Sequence, residues 1–324
     1  MENIKQDLEK RQLGTTDMYI TPVGFGAWAL GGGDWVYSWG PQDDAESMAA
    51  IHRTLDLGIN WIDTAAGYGL GHSEEVVGKT ISGMSQRPLV FTKCSLVWNE
   101  KGQFLDSLKR ESIRHECEAS LRRLKMDYVD LYQIHWPRPD EDIEEGWATL
   151  AELQKEGKVR WIGVSNFSVE QMKRAQTIAP INTLQPPYSL VRHEVQQEIL
   201  PFCLQNKIGV IVYSPMYSGL LTGKMTPERI KNLPPDDWRQ HDPEFQMPRL
   251  AKNLELVSVL NKIGEQHGVE AGVVAIAWTL RNPAVTAAIV GMRRPSQVDG
   301  VYPAINFRLT KSEVDLLNLT AGIK

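Results

Sequence analysis

Short β-rich runs, each followed by a stretch of helical periodicity, recur along almost the whole chain, and parallel sheet built from βα units requires this alternation. The runs are Val23–Ala29, Asn60–Thr64, Leu89–Lys93, Val129–His135, Trp161–Asn166, Asn182–Pro186, Gly209–Ser214 and Ala287–Gly291. Helical stretches follow at Asp43–Leu57, Ser73–Gly83, Arg110–Lys125, Glu144–Gly157, Ser168–Ile178, Val195–Asn206 and, after a long loop, Leu250–Arg281. Ser168 with Gln171 has the form of a capping box, and Gly157-Lys158 stops a helix before the next run. Arg11–Thr21 carries Gly14-Thr-Thr-Asp17 between apolar pieces and reads as a hairpin that could close the bottom of a barrel. Leucines at helical spacing in Leu309–Leu319 would pack outside. The fold expected is therefore α/β: a (β/α)8 TIM barrel with an N-terminal β-hairpin and a long loop after strand 7. It takes 11–320 as a single domain and 1–10 as a polar extension.

A length of 324 residues would also accommodate two ordinary domains. The segment Tyr217–Pro248, with prolines at 227, 234, 235, 243 and 248, is the one place where a linker could sit. A barrel, however, needs strands from both sides of it to close, so it reads as a functional loop. Its first part, Gly219-Leu-Leu-Thr-Gly-Lys224, offers backbone N–H groups and a cation to an anionic ligand.

The composition excludes several classes. With 35 basic and 40 acidic residues the net charge is −5, which argues against wholesale binding to nucleic acid or acidic membranes. The polar start MENIKQDLEKR lacks the apolar run of a signal peptide, no stretch of about 18 apolar residues occurs, and a cytoplasmic location is expected. Cys94, Cys117 and Cys203 then read as reduced thiols, and the sequons at Asn166 and Asn318 as chance matches. No spacing of ligating residues suggests a metal site.

Gly24-Phe-Gly26-Ala-Trp-Ala29 matches the dinucleotide pattern G-x-G-x-x-A. That motif works only if a helix starts within it, because the pyrophosphate sits on the helix N-terminus. Here Leu30-Gly-Gly-Gly-Asp34 and an aromatic loop through Trp39-Gly-Pro41 follow, and helical periodicity begins only near Asp43. A Rossmann dehydrogenase is thereby disfavoured.

In a barrel of this kind, chemistry collects at the C-terminal ends of the strands. Three successive apolar strands end in Asp63, Lys93 and His135, with Tyr68 five residues past the Asp. A buried structural ion pair could explain the first two, and a hydrogen-bonded core histidine the third. Convergence of all four on one face favours catalysis instead.

Taken with Gln-Ile-His135, Gly-Val-Ser-Asn166, Gln185, Tyr213-Ser-Pro215, Gly219–Lys224 and Gly291-Met-Arg-Arg-Pro-Ser-Gln297, these residues make the chain resemble an aldo-keto reductase over essentially its whole length. The resemblance implies NADPH-dependent, reversible reduction of aldehydes or ketones, possible sugar-like carbonyls included, by a barrel that binds NADP(H) without a Rossmann motif. Tyr68 would be the proton donor and Lys93 the cation that lowers its pKa. Asp63 would hold Lys93, and a neutral His135 would polarise the substrate carbonyl.

On the cofactor side the resemblance implies Trp28 and Asp63 close to the nicotinamide, Ser165, Asn166 and Gln185 on its carboxamide, and Tyr213 stacked on its ring. Ser214, Pro215, Met216, Ser218, Gly219, Leu220 and Lys224 would wrap the pyrophosphate. Gly291, Arg293, Arg294 and Gln297 would form the 2′-phosphate site, the arginines supplying a local anion site on an acidic chain. The family's acidic residue and Asn, three and four places after that Gln, are replaced by Gly300 and Val301, which leaves adenine recognition at that edge open. The substrate mouth would be formed by Trp28, Tyr68, Trp98, His135 and Trp136, with Trp35, Tyr37 and Trp39 as a further wall. Such a pocket, aromatic and largely uncharged, favours small carbonyl compounds over strongly charged ones. Competing readings are a regulatory subunit that uses the cofactor as a redox sensor and an aldolase with Lys93 as a Schiff base.

Overall fold

A computed structural model describes residues 8–33, 35–234 and 237–323. Residues 1–7 of the polar extension, Asp34 and Pro235 lie outside the described residues. Eight parallel strands close into a barrel: β1 (Val23–Gly26), β2 (Trp61–Asp63), β3 (Leu89–Cys94), β4 (Val129–Ile134), β5 (Val159–Ser165), β6 (Thr183–Gln185), β7 (Gly209–Val212) and β8 (Val285–Gly291). Closure is made by β8 on β1, with Ala288 opposite Val23 and Gly291 opposite Gly26. Helices α1 (Asp44–Asp56), α2 (His72–Ile81), α3 (Arg110–Leu124), α4 (Ile143–Lys155), α5 (Val169–Gln176) and α6 (Ile199–Gln205) follow the first six strands. Caps fall where the side chains allow: Asp43 accepts from the N–H of Ala45 and Glu46, and Ser168 with Gln171 makes the full capping box.

The hairpin forms with Arg11–Gln12 against Tyr19–Ile20 and closes the N-terminal end of the barrel. Leu13, Met18 and Ile20 join Trp61, Phe91, Leu131, Ile211 and Ala287 in one buried cluster there. The Trp61 indole donates to Thr21 O at 2.9 Å. This cluster explains Gly24, since a Cβ there would lie 2.0 Å from the Trp61 ring. At Gly26 a Cβ would come within 2.8 Å of Ile289. The paired glycines serve barrel packing, and only a one-turn 3-10 helix, Trp28–Gly31, follows them.

One expectation about the later segments needs correction. Leu250–Arg281 is not one helix but α7 (Arg249–His267) and α8 (Ala271–Leu280), broken at Gly268, whose φ of +67° is the left-handed C-cap conformation. The long loop after β7 has structure of its own. It contains the helix Pro227–Lys231 and 3-10 turns at Leu220–Thr222, Trp238–Gln240 and Pro243–Phe245. It also buries its own core of Leu220, Met225, Ile230, Phe245 and Leu250. After β8 come α9 (Pro295–Val301) and the outer helix α10 (Lys311–Ala321). No helix among the described residues is long and apolar enough to cross a membrane.

Candidate active site

The four titratable residues meet at the top of the barrel. Lys93 Nζ is buried and donates to Asp63 Oδ1 at 2.6 Å, to Thr64 O at 2.8 Å and to Tyr68 OH at 3.3 Å. The second Asp63 oxygen accepts from Gln185 Nε2 at 2.8 Å, so the carboxylate is oriented from both sides. Tyr68 reaches the site because its turn is pressed onto the loop after β1: a Cβ at Gly69 (φ +62°) would stand 2.2 Å from Gly31 O. Ser73 at the start of α2 ties the same loops by donating to Ala27 O at 2.8 Å. His135 lies edge-to-face with Tyr68, ring centroids 5.8 Å apart.

Electrostatics sharpen these positions. Burial alone would pull the Lys93 ammonium down, but Asp63 and Tyr68 together more than offset it, so Lys93 stays charged with a raised pKa. Burial, with smaller contributions from Lys93 and Arg138, drives His135 well below its usual value, and the imidazole is neutral. For Tyr68 the lowering by Lys93 is present, but the net shift is upward. Burial raises its pKa, and Lys93, opposed by Asp63, recovers only part of the shift. The phenol is therefore held protonated.

Around the neighbouring strand ends the polar groups satisfy one another. Ser165 Oγ donates to Gln185 O at 2.8 Å, and Asn166 Nδ2 donates to His135 O at 3.0 Å. Tyr213 OH donates to Asn166 Oδ1 at 2.9 Å, which fixes the plane of its ring. Beyond β7, Tyr217, Ser218 and Gly219 all have left-handed φ values of +43°, +52° and +91°. The N–H groups of Ser218 and Gly219 make no hydrogen bond among the described residues. Successive free amides of this kind form a nest for an anion.

A basic cluster stands beside it, but its membership differs from the expectation. Lys224 pairs with Glu270 at 2.9 Å. Its place is taken by Arg239, which donates to Ser218 O at 3.3 Å, lies 4.8 Å from the Trp39 ring centroid and is gripped by the buried Asp237 at 2.6 Å. Arg293 is tied to Gln42 and to Pro41 O, while Gln297 accepts its backbone N–H at 2.7 Å. Burial depresses the Arg293 pKa first, and then the nearby charges of Arg239 and Arg294. Three guanidiniums thus share one locality, and Arg294 is exposed. The buried indole N–H groups of Trp39 and Trp238 have no acceptor among the described residues. A donor set of free amides, indoles and arginines suits a pyrophosphate with an added phosphate. No spacing rule marks Arg239, Trp238 or Glu270 in the sequence, and only folding of the long loop brings them here.

Trp28 packs on Trp39 (4.8 Å) and Trp238 (6.2 Å), so it joins the loop after β1 to the loop after β7. Trp136 stacks on His135 at 6.3 Å and Trp98 meets Phe104 at 6.5 Å. Among the described residues, no group of three or more His, Cys, Asp or Glu side chains could hold a metal ion.

The model of the aldo/keto reductase family matches residues 22–319. The chain belongs to the aldo/keto reductase family. As an aldo/keto reductase it is an oxidoreductase acting between carbonyl and alcohol groups. It is 40% identical over 314 residues to the aldo-keto reductase YhdN of Bacillus subtilis, covering 96% of this chain and 93% of that protein. It is 33% identical to the NADH-specific methylglyoxal reductase of Escherichia coli, covering 96% of this chain and 97% of that one. Among solved structures, the glycerol dehydrogenase AKR11B4 of Gluconobacter oxydans superposes with a TM-score of 0.88 at 37% identity and 98% coverage of both chains.

Proposed function

We propose that this aldo/keto reductase, acting as one domain over 11–320, reversibly reduces aldehydes and ketones with NADPH and that Tyr68 is the proton donor. The observation that carries the reading is the Lys93 ammonium, which bridges the Asp63 carboxylate and the Tyr68 phenol beside a neutral imidazole. When bound, the cofactor supplies the hydride. His135 donates a hydrogen bond that draws electron density onto the substrate oxygen. The Tyr68 proton passes to that oxygen as its charge develops, and the phenolate left behind is stabilised by Lys93 until solvent returns a proton. Asp63 keeps Lys93 charged and aimed. In alcohol oxidation the same groups run in reverse, with Tyr68 as base.

Asp63, Trp28, Ser165, Asn166, Gln185 and Tyr213 would hold the nicotinamide end. Ser214 to Leu220 would take the pyrophosphate through the Ser218 and Gly219 amides. Arg293 and Arg294, joined by Arg239 in place of Lys224, would take a 2′-phosphate, with Gly291 and Gln297 shaping that corner. A Cβ at Gly300 would stand 3.6 Å from Glu270, so Glu270 would supply the carboxylate that the sequence lacks at the adenine edge. Three buried, unpaired cysteines support a reducing, cytoplasmic setting.

Relatives named for NADH and for NADP(+) make the cofactor the point to test. NADPH is expected to bind about tenfold or more tightly than NADH, because one charge-assisted contact to phosphate contributes ~1.5–3 kcal/mol. Arg294→Ala should remove most of that preference. Equal affinity of the wild type for both cofactors would refute the phosphate role, and absence of NADPH oxidation with any of a panel of short aldehydes would refute the activity.

A further inference from the structure

The loop after β1 and a small hairpin after β3 line an open cleft of about 490 Å³. The hairpin pairs Leu96–Trp98 with Phe104–Asp106. One wall is Trp35, whose ring centroid lies 6.3 Å from that of Tyr68 and 6.4 Å from that of Phe104. Tyr37 stacks on Phe104 at 6.0 Å with an interplanar angle of 25°. The cleft is thus walled by aromatic rings, and Trp35 connects it to Tyr68.

Its rim is polar and built. Asn99 at the hairpin tip accepts the backbone N–H of Lys101 at 2.9 Å and of Gln103 at 3.1 Å, and its amide nitrogen donates to the Gln103 side chain at 2.9 Å. Gly102, at φ +71°, completes the turn. Lys101 and Gln103 therefore stand at a fixed tip, and both line the cleft. Lys101 is the one charged residue among its described lining, which holds no carboxylate; its chain neighbour Glu100 is not part of it. The sequence reading of an aromatic, largely uncharged pocket did not single out this lysine, because a lysine on an exposed hairpin looks like ordinary surface charge.

We propose that the cleft is a substrate subsite and that Lys101 determines specificity, selecting carbonyl compounds whose far end, beyond a flat spacer, carries a carboxylate. The proposal rests on the carbonyl-reductase reading above and adds the substrate class. With the carbonyl at Tyr68 and His135, a planar spacer passes Trp35 and the edge of the stacked Tyr37–Phe104 pair, where aromatic contacts favour a flat group. Its carboxylate then meets the Lys101 ammonium and the Gln103 amide at the rim. The pair is solvent-exposed, so its contribution is modest and sensitive to salt.

The test is the ratio of kcat/KM for 4-carboxybenzaldehyde to that for benzaldehyde in the wild type, Lys101→Met and Lys101→Glu. The expected ratio is about fivefold in the wild type, near one in Lys101→Met and below one in Lys101→Glu, with the wild-type preference fading as salt is raised. Trp35→Ala should reduce kcat/KM for both aromatic aldehydes relative to a short aliphatic aldehyde. A ratio that is the same in all three proteins overturns the assignment of Lys101 while leaving carbonyl reduction standing. Failure of the wild type to reduce benzaldehyde or any short aldehyde overturns both.

Discussion

Tyr68→Phe separates the chemistry from everything else the residue does. The substitution removes one oxygen, which accepts a long 3.3 Å hydrogen bond from Lys93. Lys93 retains its shorter bonds to Asp63 at 2.6 Å and to Thr64 O at 2.8 Å, and no buried charge loses its partner. The ring keeps its contacts with His135 and Trp35. Stability should therefore change by about 1 kcal/mol or less. Cofactor affinity should stay within about twofold, since none of the amides or arginines on the phosphate side touches the phenol. The barrier is a different matter. A positioned general acid contributes roughly 10²–10⁴ in rate, or ~2.7–5.5 kcal/mol, and nothing else within reach is a protonated donor of comparable strength. Single-turnover oxidation of NADPH, a fluorescence titration of the cofactor and a thermal melt would report the three quantities separately. The wild type should also keep its reductase activity through neutral and mildly alkaline pH. The active form is the protonated phenol, whose pKa burial raises, so the rate is lost only as pH climbs through that raised value. Turnover by Tyr68→Phe within tenfold of the wild type would refute the role. So would a loss of activity matched by a loss of cofactor binding or of fold.

Other perturbations read different parts of the molecule. Lys93→Met strands the buried Asp63 carboxylate and should lower stability by about 3–5 kcal/mol together with activity. Adding Asp63→Asn should recover much of the melting temperature but no turnover. Glu116, buried behind the site and accepting from Ser95 N–H at 3.0 Å, has its pKa raised by burial from 4.5 to about 8. Between those values the folded state holds a proton that the unfolded chain has lost. Stability should thus fall as pH rises across that window, by a few kcal/mol at most, and denaturant titrations of Glu116→Gln should show a flatter profile. Gly24→Ala drives a methyl into the Trp61 indole and should destabilise by more than about 2 kcal/mol; a stability equal to wild type would refute the packing explanation of the glycine pair.

Much of the architecture was legible because barrel strands are buried on both faces and read as apolar runs at regular intervals. Val129–Ile134 and Leu89–Cys94 fall within a residue of the runs seen in the sequence. The break between α7 and α8 carried a signal as well, Gly268 directly after His267, but continuous apolar periodicity on both sides concealed it. Convergence of Asp63, Tyr68, Lys93 and His135 could be anticipated since strand ends of a parallel barrel all open on one face. The loop after β7 could not be read in this way, because its structure comes from a local core of Leu220, Met225, Ile230 and Phe245 with no periodic pattern.

The sequence by itself determined the order of βα units and the chemical types at the strand ends, since both follow from local hydrophobic pattern and from the polarity of parallel strands. Tertiary structure alone decided which glycines pack against an indole, which cation faces the nest and which way the tyrosine pKa moves. Those outcomes depend on distances between residues far apart in the chain. Lys224 answers to Glu270, Arg239 to Ser218 and Trp39, and Tyr68 to the balance between burial and a single ammonium.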